Sequence, residues 1–450
     1  MFSSPLKILV REDVVRRVRT STSTWVAKRL ETGGFLYGYI HDRSRVFEIT
    51  GLIDGGNDAE RSSGHYSGNN EEAARQLTSL RRSDPEVKLL GEYHSHVADG
   101  FSVPSSIDLN QLREVKRRVP QFVIMITTKN EFRFWDLGND QSDFVELAHQ
   151  VLNIPTSIKL TETEFFDRIS RVGSHVPSSL VEKTVLVVGL GGLGSTICKY
   201  LAASGVGRIV LVDNEKLELA NVVRHEGTIN DIGLPKSSIC QRVVEERNPF
   251  ALVEAADFDV VEDHERLERL VSRADLVISS SGSPEINNVV NGICVEQRKA
   301  AVYGGVFRHA EGAYVFTALP GHACFNCVFD LAKSFYVDRD EALRYGWPAE
   351  ELHRQQGLWT KISIPAIKMA DLATDILQSK PLAYNFVAFN QEFDAKRIEV
   401  KKRPGDPVCD PEGFAKGLQS VENIAVSGGS KGGGRWASLI ARLKIRGAKS

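Results

Sequence analysis

Short apolar runs alternate with polar stretches through the first third of the chain, and this pattern predicts a mixed α/β domain. The predicted strands lie at 33–40, 45–53, 87–93, 122–128 and 132–137, and the predicted helices lie at 71–82 and 106–118. The last two strands are expected to form a hairpin that closes the domain. Residues 140–180 show no clear periodicity and are treated as a mixed connecting region.

From residue 184 the pattern changes to alternating strands and helices. The stretch TVLVVGLGGLGSTICKYLAASGVGRIVLVD has the order strand, glycine turn, helix, strand, and similar alternation continues to about residue 400. A Gly/Ser-rich linker and a basic tail follow, and the tail fits a disordered segment better than a helix that contacts a partner or a membrane. We therefore divide the chain into a first domain (1–150), a connecting segment (151–180), a second domain (181–425) and a linker with its tail (426–450).

The composition indicates the general class of protein but not its function. A chain of 450 residues with 42% hydrophobic and 25% charged residues is typical of a globular protein with two domains. The formal net charge of -2 gives no reason to expect nucleic acid as a partner. Neither a signal peptide nor a long apolar run is present in the sequence, so we expect a cytoplasmic protein with no membrane span.

The most informative stretch of the first domain is GEYHSHVADGFSVPSSID, which contains His94, His96 and Asp108. Two histidines one residue apart on a strand point to the same side, because side chains alternate with a period of two. Asp108 opens the next predicted helix and can supply a third ligand. Two imidazoles and a carboxylate leave one tetrahedral position of Zn²⁺ for water, and zinc lowers the pKa of such a water to about 7. The pattern therefore predicts a catalytic zinc site.

This stretch resembles the JAMM/MPN metalloproteases that cleave ubiquitin and its relatives, and LETGGFLYG resembles the strand that opens that family's domain. The resemblance implies a cytidine-deaminase-like α-β-α fold in which Glu31 is the general acid/base and Ser105 helps to hold the oxyanion. The loop between His96 and Ser105 is one residue longer than is usual in the family, which we interpret as a change in the rim of the site. The alternative is an inert scaffold with ordinary histidines.

The second domain contains a glycine-rich turn of the kind that lets a nucleotide phosphate approach the backbone. It lies between a strand and a helix and is followed by side chains suited to a ribose hydroxyl or to phosphate oxygens. The predicted nucleotide-binding residues are Gly189, Gly191, Gly192, Gly194, Asp213, Asn221, Arg224 and Lys236. The glycines alone indicate only a nucleotide-binding strand–helix–strand unit, often one that binds NAD, so a dehydrogenase-like NAD fold is the alternative.

The complete set, with the segment FDRISR, resembles the ThiF/MoeB family, which contains the adenylating domains of ubiquitin-activating enzymes. This resemblance covers about 165–410 and implies a Rossmann-like fold that binds ATP with Mg²⁺. In the implied reaction, the C-terminal carboxylate of a small modifier attacks the α-phosphate of ATP. It also implies a homodimer through this domain, in which Arg171 reaches the nucleotide of the partner.

Three departures from the family pattern affect the expected chemistry. Gly282 stands where the family has an aspartate that supports magnesium, so adenylation is an open question. The region 331–365, where thioester-forming members carry their nucleophile, contains no cysteine, and Cys198, Cys240 and Cys294 fit buried core positions. The family's structural zinc site is altered as well. Its candidate ligands here are Cys324, Cys327, Asp406 and Cys409.

Three functional hypotheses remain open from the sequence. The first is a zinc peptidase or isopeptidase that processes or removes a ubiquitin-like β-grasp modifier, fused to a domain that binds and activates the same modifier, with a conjugating enzyme as a further candidate partner. The second is processing and adenylation of a sulfur-carrier protein for cofactor or amino-acid biosynthesis. The third is an active peptidase on an adenylation platform that has lost its activity.

Overall fold

The computed structural model describes residues 7–55, 59–63, 66–68, 70–97, 102–138, 143–155, 157–172, 177–306, 312–328, 359–390 and 392–412. The linker and tail predicted at 426–450 and most of the region 331–365 lie outside these residues. No helix within the described ranges is long and apolar enough to cross a membrane.

One seven-stranded sheet forms the first domain. Its strands are β1 (Lys7–Arg11), β2 (Gly33–His41), β3 (Val46–Asp54), β6 (Lys88–Ser95), β7 (Val123–Thr127), β8 (Phe132–Leu137) and β9 (Phe144–Leu152), and a separate ribbon consists of β4 (Glu60–Arg61) and β5 (Tyr66–Ser67). The sheet closes on itself in the order β1-β3-β2-β6-β7-β8-β9. β9 completes the closure by pairing with both β8 and β1.

Three helices cover this sheet from its two sides: α1 (Glu12–Val26), α2 (Asn70–Ser83) and α3 (Ser106–Lys116). On the inner side, Val14, Val15 and Val18 of α1 are buried in one cluster with the inward-facing residues of the strands. On the outer side, α2 covers β2 and β3, whereas α3 covers β7 and β8. The helices therefore lie on both faces of a rolled sheet.

The structure differs from the sequence prediction at both ends of this domain. The hairpin at β7 and β8 is present, but it does not close the domain, because β9 lies in the stretch that we treated as a connecting region. β1 and α1 were not predicted either. The helices predicted at 71–82 and 106–118 are confirmed to within two residues at each end.

The second domain is built on an eight-stranded sheet with helices on both sides. Its strands are β10 (Thr184–Val188), β11 (Arg208–Val212), β12 (Leu252–Ala256), β13 (Leu276–Ser279), β14 (Ala300–Val306), β15 (Ala313–Ala318), β16 (Phe386–Phe389) and β17 (Ala395–Ile398). The helices of this half and of the connecting segment are α4 (Glu162–Ser170), α5 (Pro177–Leu180), α6 (Gly192–Ala203), α7 (Lys236–Arg247), α8 (His264–Arg273), α9 (Pro284–Glu296) and α10 (Trp359–Leu377).

The strand order of this sheet is β12-β11-β10-β13-β14-β15-β16-β17, and its first five strands are parallel. From β10 the chain moves outward through β11 and β12, then returns to the other side of β10 at β13. In open α/β sheets of this kind, ligands bind beyond the carboxyl ends of the strands, at the point where the order reverses. Here that point lies between β10 and β13. The predicted α/β class with a Rossmann-like second domain is confirmed.

Candidate functional site

The three predicted zinc ligands of the first domain converge. The ring Nε2 of His94 lies 3.0 Å from Oδ1 of Asp108, and Nε2 of His96 lies 3.4 Å from its Oδ2. One ligand atom from each of the three side chains lies within 4.8 Å of the other two. Two imidazoles and a carboxylate are a donor set that suits Zn²⁺, so the residues present fit this ion.

The start of α3 fixes the position of Asp108. The backbone N–H of Ser105 donates to Oδ2 of Asp108 at 2.5 Å, and the hydroxyl of Ser105 accepts the backbone N–H of Asp108 at 3.4 Å. This capping box makes Ser105 the N-cap of α3. The hydroxyl proton of Ser105 is not used in the box, so its predicted role as a donor to an oxyanion is compatible with its role as a cap.

Glu31 is held over the histidines by a pairing that the sequence analysis did not assign. The backbone N–H of Ser95 donates to the carbonyl of Thr32 at 2.8 Å, and the backbone N–H of Thr32 donates to the Ser95 hydroxyl at 2.9 Å. These bonds tie the segment before β2 to the end of β6. Ser95 lies between the two histidines and is fully buried on the face away from them. The alternation of side chains along the strand is the only sequence feature that indicates that Ser95 faces away from the histidines.

The electrostatics of this site follow from its burial. Glu31, His94 and Asp108 are 8%, 8% and 7% exposed. Burial raises the pKa of the Glu31 carboxyl above its usual value, although the neighbouring histidines oppose the shift. Burial alone would also raise the pKa of Asp108, but hydrogen bonds from His94 and His96 outweigh it and hold that pKa well below its usual range.

These residues open into a cleft of about 580 Å³ between α3 and the strands β2 and β6. Beyond the histidines its wall is mixed. It contains apolar side chains (Phe35, Leu89, Val115, Val119 and Phe122) and polar side chains of α3 (Gln111, Glu114 and Arg118). Glu92 also lines the cleft, two residues before His94 on the same face of β6. The cleft thus has a polar centre at the candidate metal ligands and a mixed apolar and polar wall beyond it.

A second cleft, of about 340 Å³, lies at the reversal point of the second sheet. Seven of the eight predicted nucleotide-binding residues line it: Gly189, Gly191, Gly192, Asp213, Asn221, Arg224 and Lys236. Gly194 does not line the cleft, but a Cβ there would stand 2.0 Å from the carbonyl oxygen of Gly189, so it allows α6 to approach the strand. Gly189 has a φ of 84°, a conformation that favours glycine.

Acidic and basic side chains face each other across this cleft. The two carboxylate oxygens of Asp213 accept the backbone N–H groups of Leu190, at 2.6 Å, and Glu215, at 2.7 Å. Burial raises the pKa of Asp213. Lys236 is 5% exposed at the start of α7, and its ammonium group pairs with Glu215. A buried cation beside a glycine loop suits the phosphates of a nucleotide.

His225 was not among the residues predicted from the sequence. Its ring stabilises the glycine loop by hydrogen bonding to the backbone. Its Nδ1 accepts the backbone N–H of Gly227 at 2.8 Å, so its Nε2 carries the proton and donates to the carbonyl of Leu190 at 2.8 Å. The ring is 1% exposed. The only signal in the sequence was its place directly after Arg224.

Gly282 lines the same cleft, and a Cβ built at this position meets no atom within 4 Å. The absence of an aspartate here is therefore not imposed by lack of space.

The four candidate ligands of the altered zinc site also come together, with their ligand atoms within 4.8 Å of one another. Sγ of Cys327 lies 3.9 Å from Sγ of Cys324 and 3.5 Å from Sγ of Cys409. The carboxylate of Asp406 lies 3.7 Å from Cys324 and 3.8 Å from Cys327. A hydrogen bond from Cys324 lowers the pKa of the Cys327 thiol below its usual value. Three thiols and a carboxylate suit Zn²⁺.

The other three cysteines are buried as predicted. Cys198 and Cys240 are 0% exposed and Cys294 is 2% exposed. Burial raises the pKa of Cys294 to about 12, and the pKa of Cys240 is also raised, by a hydrogen bond from Cys198 and by burial. Neither thiol is a thiolate at neutral pH, so neither suits thioester formation.

Arg171 lies outside both clefts of its own chain. It follows α4, is strongly exposed and pairs with Asp167 at 2.7 Å. It is not among the residues that line the nucleotide cleft.

Two protein-family models match different parts of the chain. A protein-family model described as the ThiF family matches residues 167–406, and one described as prokaryotic homologs of the JAB domain matches residues 12–138. A sulfur carrier protein adenylyltransferase of Thermus thermophilus is 27% identical over 267 residues, which cover 56% of this chain and 92% of that protein.

Two further relatives match over shorter lengths. The SAMP-activating enzyme E1 of Haloferax volcanii is 30% identical over 39% of this chain and 65% of its own length. The ubiquitin-like modifier-activating enzyme 5 of Caenorhabditis elegans is 31% identical over 38% of this chain and 43% of its own length. The crystal structure of E. coli MccB with ATP is 20% identical, with a TM-score of 0.44 over 52% of this chain and 68% of that one.

The ThiF match alone spans more than half of the 450 residues, and the JAB match covers most of the rolled sheet that holds His94 and His96. The chain belongs to the ThiF family and carries a JAB-type domain at its N-terminal end.

Proposed function

We propose that this chain is a bifunctional enzyme of a ubiquitin-like modifier pathway. Its first domain acts as a zinc-dependent peptidase or isopeptidase that exposes or removes the modifier's C-terminus, and its second domain binds and adenylates the C-terminus of the same modifier. The observation that carries the first half is the convergence of Glu31, His94, His96 and Asp108 in one cleft. The second half is supported by the glycine loop and Lys236, which share another cleft.

In the peptidase half, His94, His96 and Asp108 would hold Zn²⁺, which when bound activates water and polarises a carbonyl oxygen. The Glu31 carboxylate would take the proton of the attacking water and return it to the leaving amine. Its burial and raised pKa suit a group that must both accept and donate a proton. The hydroxyl of Ser105 would donate to the oxygen on which negative charge develops.

In the adenylating half, the N–H groups at the start of α6 and the cations Arg224 and Lys236 would hold the phosphates. A carboxylate oxygen of the modifier would form a bond to the α-phosphorus while the bond from that phosphorus to the bridging oxygen breaks. The products are an acyl-adenylate and pyrophosphate. Asp213, after β11, is placed to accept a hydrogen bond from a ribose hydroxyl.

A direct test uses a small β-grasp protein that ends in Gly-Gly followed by a short extension. Incubation with the full chain, zinc and Mg-ATP should give a protein cut after Gly-Gly and, in a second step, the same protein with the mass of one added AMP. Intact starting material after prolonged incubation would contradict the peptidase half, and a cut product without AMP would contradict the adenylating half.

The sulfur-carrier hypothesis is the second candidate, because the T. thermophilus relative matches over nearly its whole length. This hypothesis needs only an adenylate that passes to a sulfur donor, and no cysteine of this chain is required as nucleophile. A neighbouring gene for a sulfur-transfer enzyme would favour it, whereas one for a conjugating enzyme would favour the first proposal.

The substitution Gly282→Asp tests whether the second domain is an inactive platform. Because open space surrounds this position, the aspartate should be accommodated and should supply a magnesium ligand. We expect ATP–pyrophosphate exchange to rise about tenfold, the equivalent of about 1.4 kcal/mol, with half-saturation at lower magnesium. The matched variant Gly282→Asn lacks the charge and should behave like the unmodified chain. Equal effects of both substitutions would show that the position does not act through magnesium.

Metal counting tests both zinc sites together. We expect two zinc ions per chain after zinc loading, and one ion in either His94→Ala or Cys327→Ser. Only His94→Ala should lose peptidase activity, because the thiol-rich site lies in the other domain. Cys327→Ser should instead lower thermal stability, since structural zinc contributes directly to folding. Retention of two ions in Cys327→Ser would refute the second site.

We also propose a homodimer through the second domain. Arg171 has no place in the nucleotide cleft of its own chain, and the segment beside that cleft exposes apolar side chains: Leu219, Val223, Ile229, Ile232 and Leu234. A second copy would cover these residues and bring its own Arg171 to the nucleotide. Sedimentation at the mass of a single chain, at all concentrations up to those of the assay, would exclude this arrangement.

A further inference from the structure

The two domains contact each other through the outer face of β1. Lys7 is 1% exposed, and its ammonium group donates to the carbonyl of Ala251 at 3.2 Å and pairs with Glu245 at 3.3 Å. Phe250 is 4% exposed and packs in one cluster with Leu9 and Val46 of the first domain.

This contact is close-packed. The rings of Phe165 and Phe250 lie 5.4 Å apart, and that of His41 lies 4.9 Å from Phe250, both edge to face. The backbone N–H of Ser44 donates to the Glu162 carboxylate at 2.8 Å, so α4 is also bonded to the first domain. An ion pair with a buried lysine, an aromatic cluster and a hydrogen bond to α4 therefore join the two domains at this contact.

The zinc cleft lies across the rolled sheet from this contact. In the closed order β1-β3-β2-β6-β7-β8-β9, β6 is three strands from β1 in one direction and four in the other. His94 belongs to β6, and α3, which supplies Asp108, covers the outside of the sheet on that side. The zinc cleft therefore lies on the part of the rolled sheet that is remote from the contact with the second domain.

The nucleotide cleft is also remote from the contact. Phe250 and Ala251 directly precede β12, and the register places the first residue of β12 beside the first residue of β11. Asp213 and Gly189 directly follow the other ends of β11 and β10. The contact and the nucleotide cleft thus lie at opposite edges of the parallel sheet, separated by about 16 Å of strand at roughly 3.3 Å per residue.

We propose that a modifier cut in the zinc cleft leaves the chain before it is adenylated, and that the two clefts can hold two modifiers at once. This inference rests on the proposed function. The tail of a β-grasp modifier reaches only roughly 20 Å, if about six residues are extended. A tail of that length cannot pass from one cleft to the other around two packed domains while the modifier stays in place. The shared chain would then serve to keep the two activities in constant ratio.

A trapping experiment tests this inference. An isotopically labelled modifier with a C-terminal extension is mixed with the full chain, zinc and Mg-ATP, in the presence of a tenfold excess of unlabelled mature modifier. Release before adenylation predicts that the labelled acyl-adenylate falls about tenfold, in proportion to the dilution. If the amount of labelled acyl-adenylate is the same with and without the unlabelled modifier, the inference is wrong. Cleavage alone and pyrophosphate exchange alone are measured in parallel, so that failure of the proposed function is recognised separately.

A distance measurement tests the same geometry without activity. Spin labels are placed on two exposed positions, with Ser106→p-acetylphenylalanine at the rim of the zinc cleft and Lys216→p-acetylphenylalanine beside the nucleotide cleft, because a ketone label leaves the partly exposed thiols of Cys327 and Cys409 unmodified. The labelled chain is diluted with unlabelled chain to suppress distances between copies. We expect a single distance longer than the roughly 20 Å reach of the tail. A main population below that reach would overturn the inference even if both activities were present.

Discussion

The substitution Glu31→Gln should reduce cleavage of a ubiquitin-like substrate about 10²- to 10⁴-fold, the range that a positioned general acid/base contributes. Glutamine keeps the shape of the side chain but cannot accept the proton of the attacking water. Because Glu31 is held by its neighbouring backbone and not by the metal ligands, zinc content should remain that of the unmodified chain. The measurements are single-turnover cleavage and zinc determination on the same sample.

A matched control for this variant is Glu71→Gln, an exposed residue in the first turn of α2. It should cleave at the unmodified rate. Unimpaired cleavage by Glu31→Gln would show that the general base is another residue, and loss of zinc in Glu31→Gln would show that this side chain acts on the metal site.

The substitution Lys236→Ala should have the largest effect on the second domain. A charge-assisted hydrogen bond contributes about 1.5–3 kcal/mol, so losing it should weaken ATP binding about 10- to 150-fold. Pyrophosphate exchange should fall further, by about 10²- to 10³-fold, because the cation also faces the charge that develops on the leaving pyrophosphate. Calorimetric titration with ATP and the exchange assay measure the two effects.

Lys216→Ala is the control here, because this lysine is exposed, lies next to the start of α7 through its pairing with Pro235, and does not line the cleft. It should bind ATP as the unmodified chain does, and both variants should keep full peptidase activity. An ATP affinity that is equal in Lys236→Ala and Lys216→Ala would place the phosphates elsewhere.

Local spacing made the ligands of the zinc site predictable. His94 and His96 lie at the end of one strand, and Asp108 lies in the first turn of the next helix. Because the three residues are close in sequence, most ways of packing this helix on the sheet bring their side chains together. The position of Glu31 could be expected only from the family resemblance, because it depends on the pairing of β2 with β6 across a long stretch of chain. Ser95 and His225 were missed for a related reason. Each acts through hydrogen bonds to backbone groups that are distant in sequence.

The elements missed in the first domain have weak local signals. α1 buries Val14, Val15, Val18 and Thr22 at helical spacing, but its serines and threonines have low helix propensity. β9 alternates poorly between buried and exposed positions, since one part of its outer face meets the second domain and the rest meets solvent. Tertiary contacts therefore determine that these residues form α1 and β9.

The packing of Phe250 between the two domains affects any fragment that contains only one of them. Expressed alone, the front half would present Leu9 and Val46 to water, and the back half would present Phe250. Lys7 would lose the carboxylate of Glu245. Newly bared apolar surfaces of this kind promote self-association, so truncated fragments are poor reagents for assigning either activity, and point variants of the intact chain are the sounder choice.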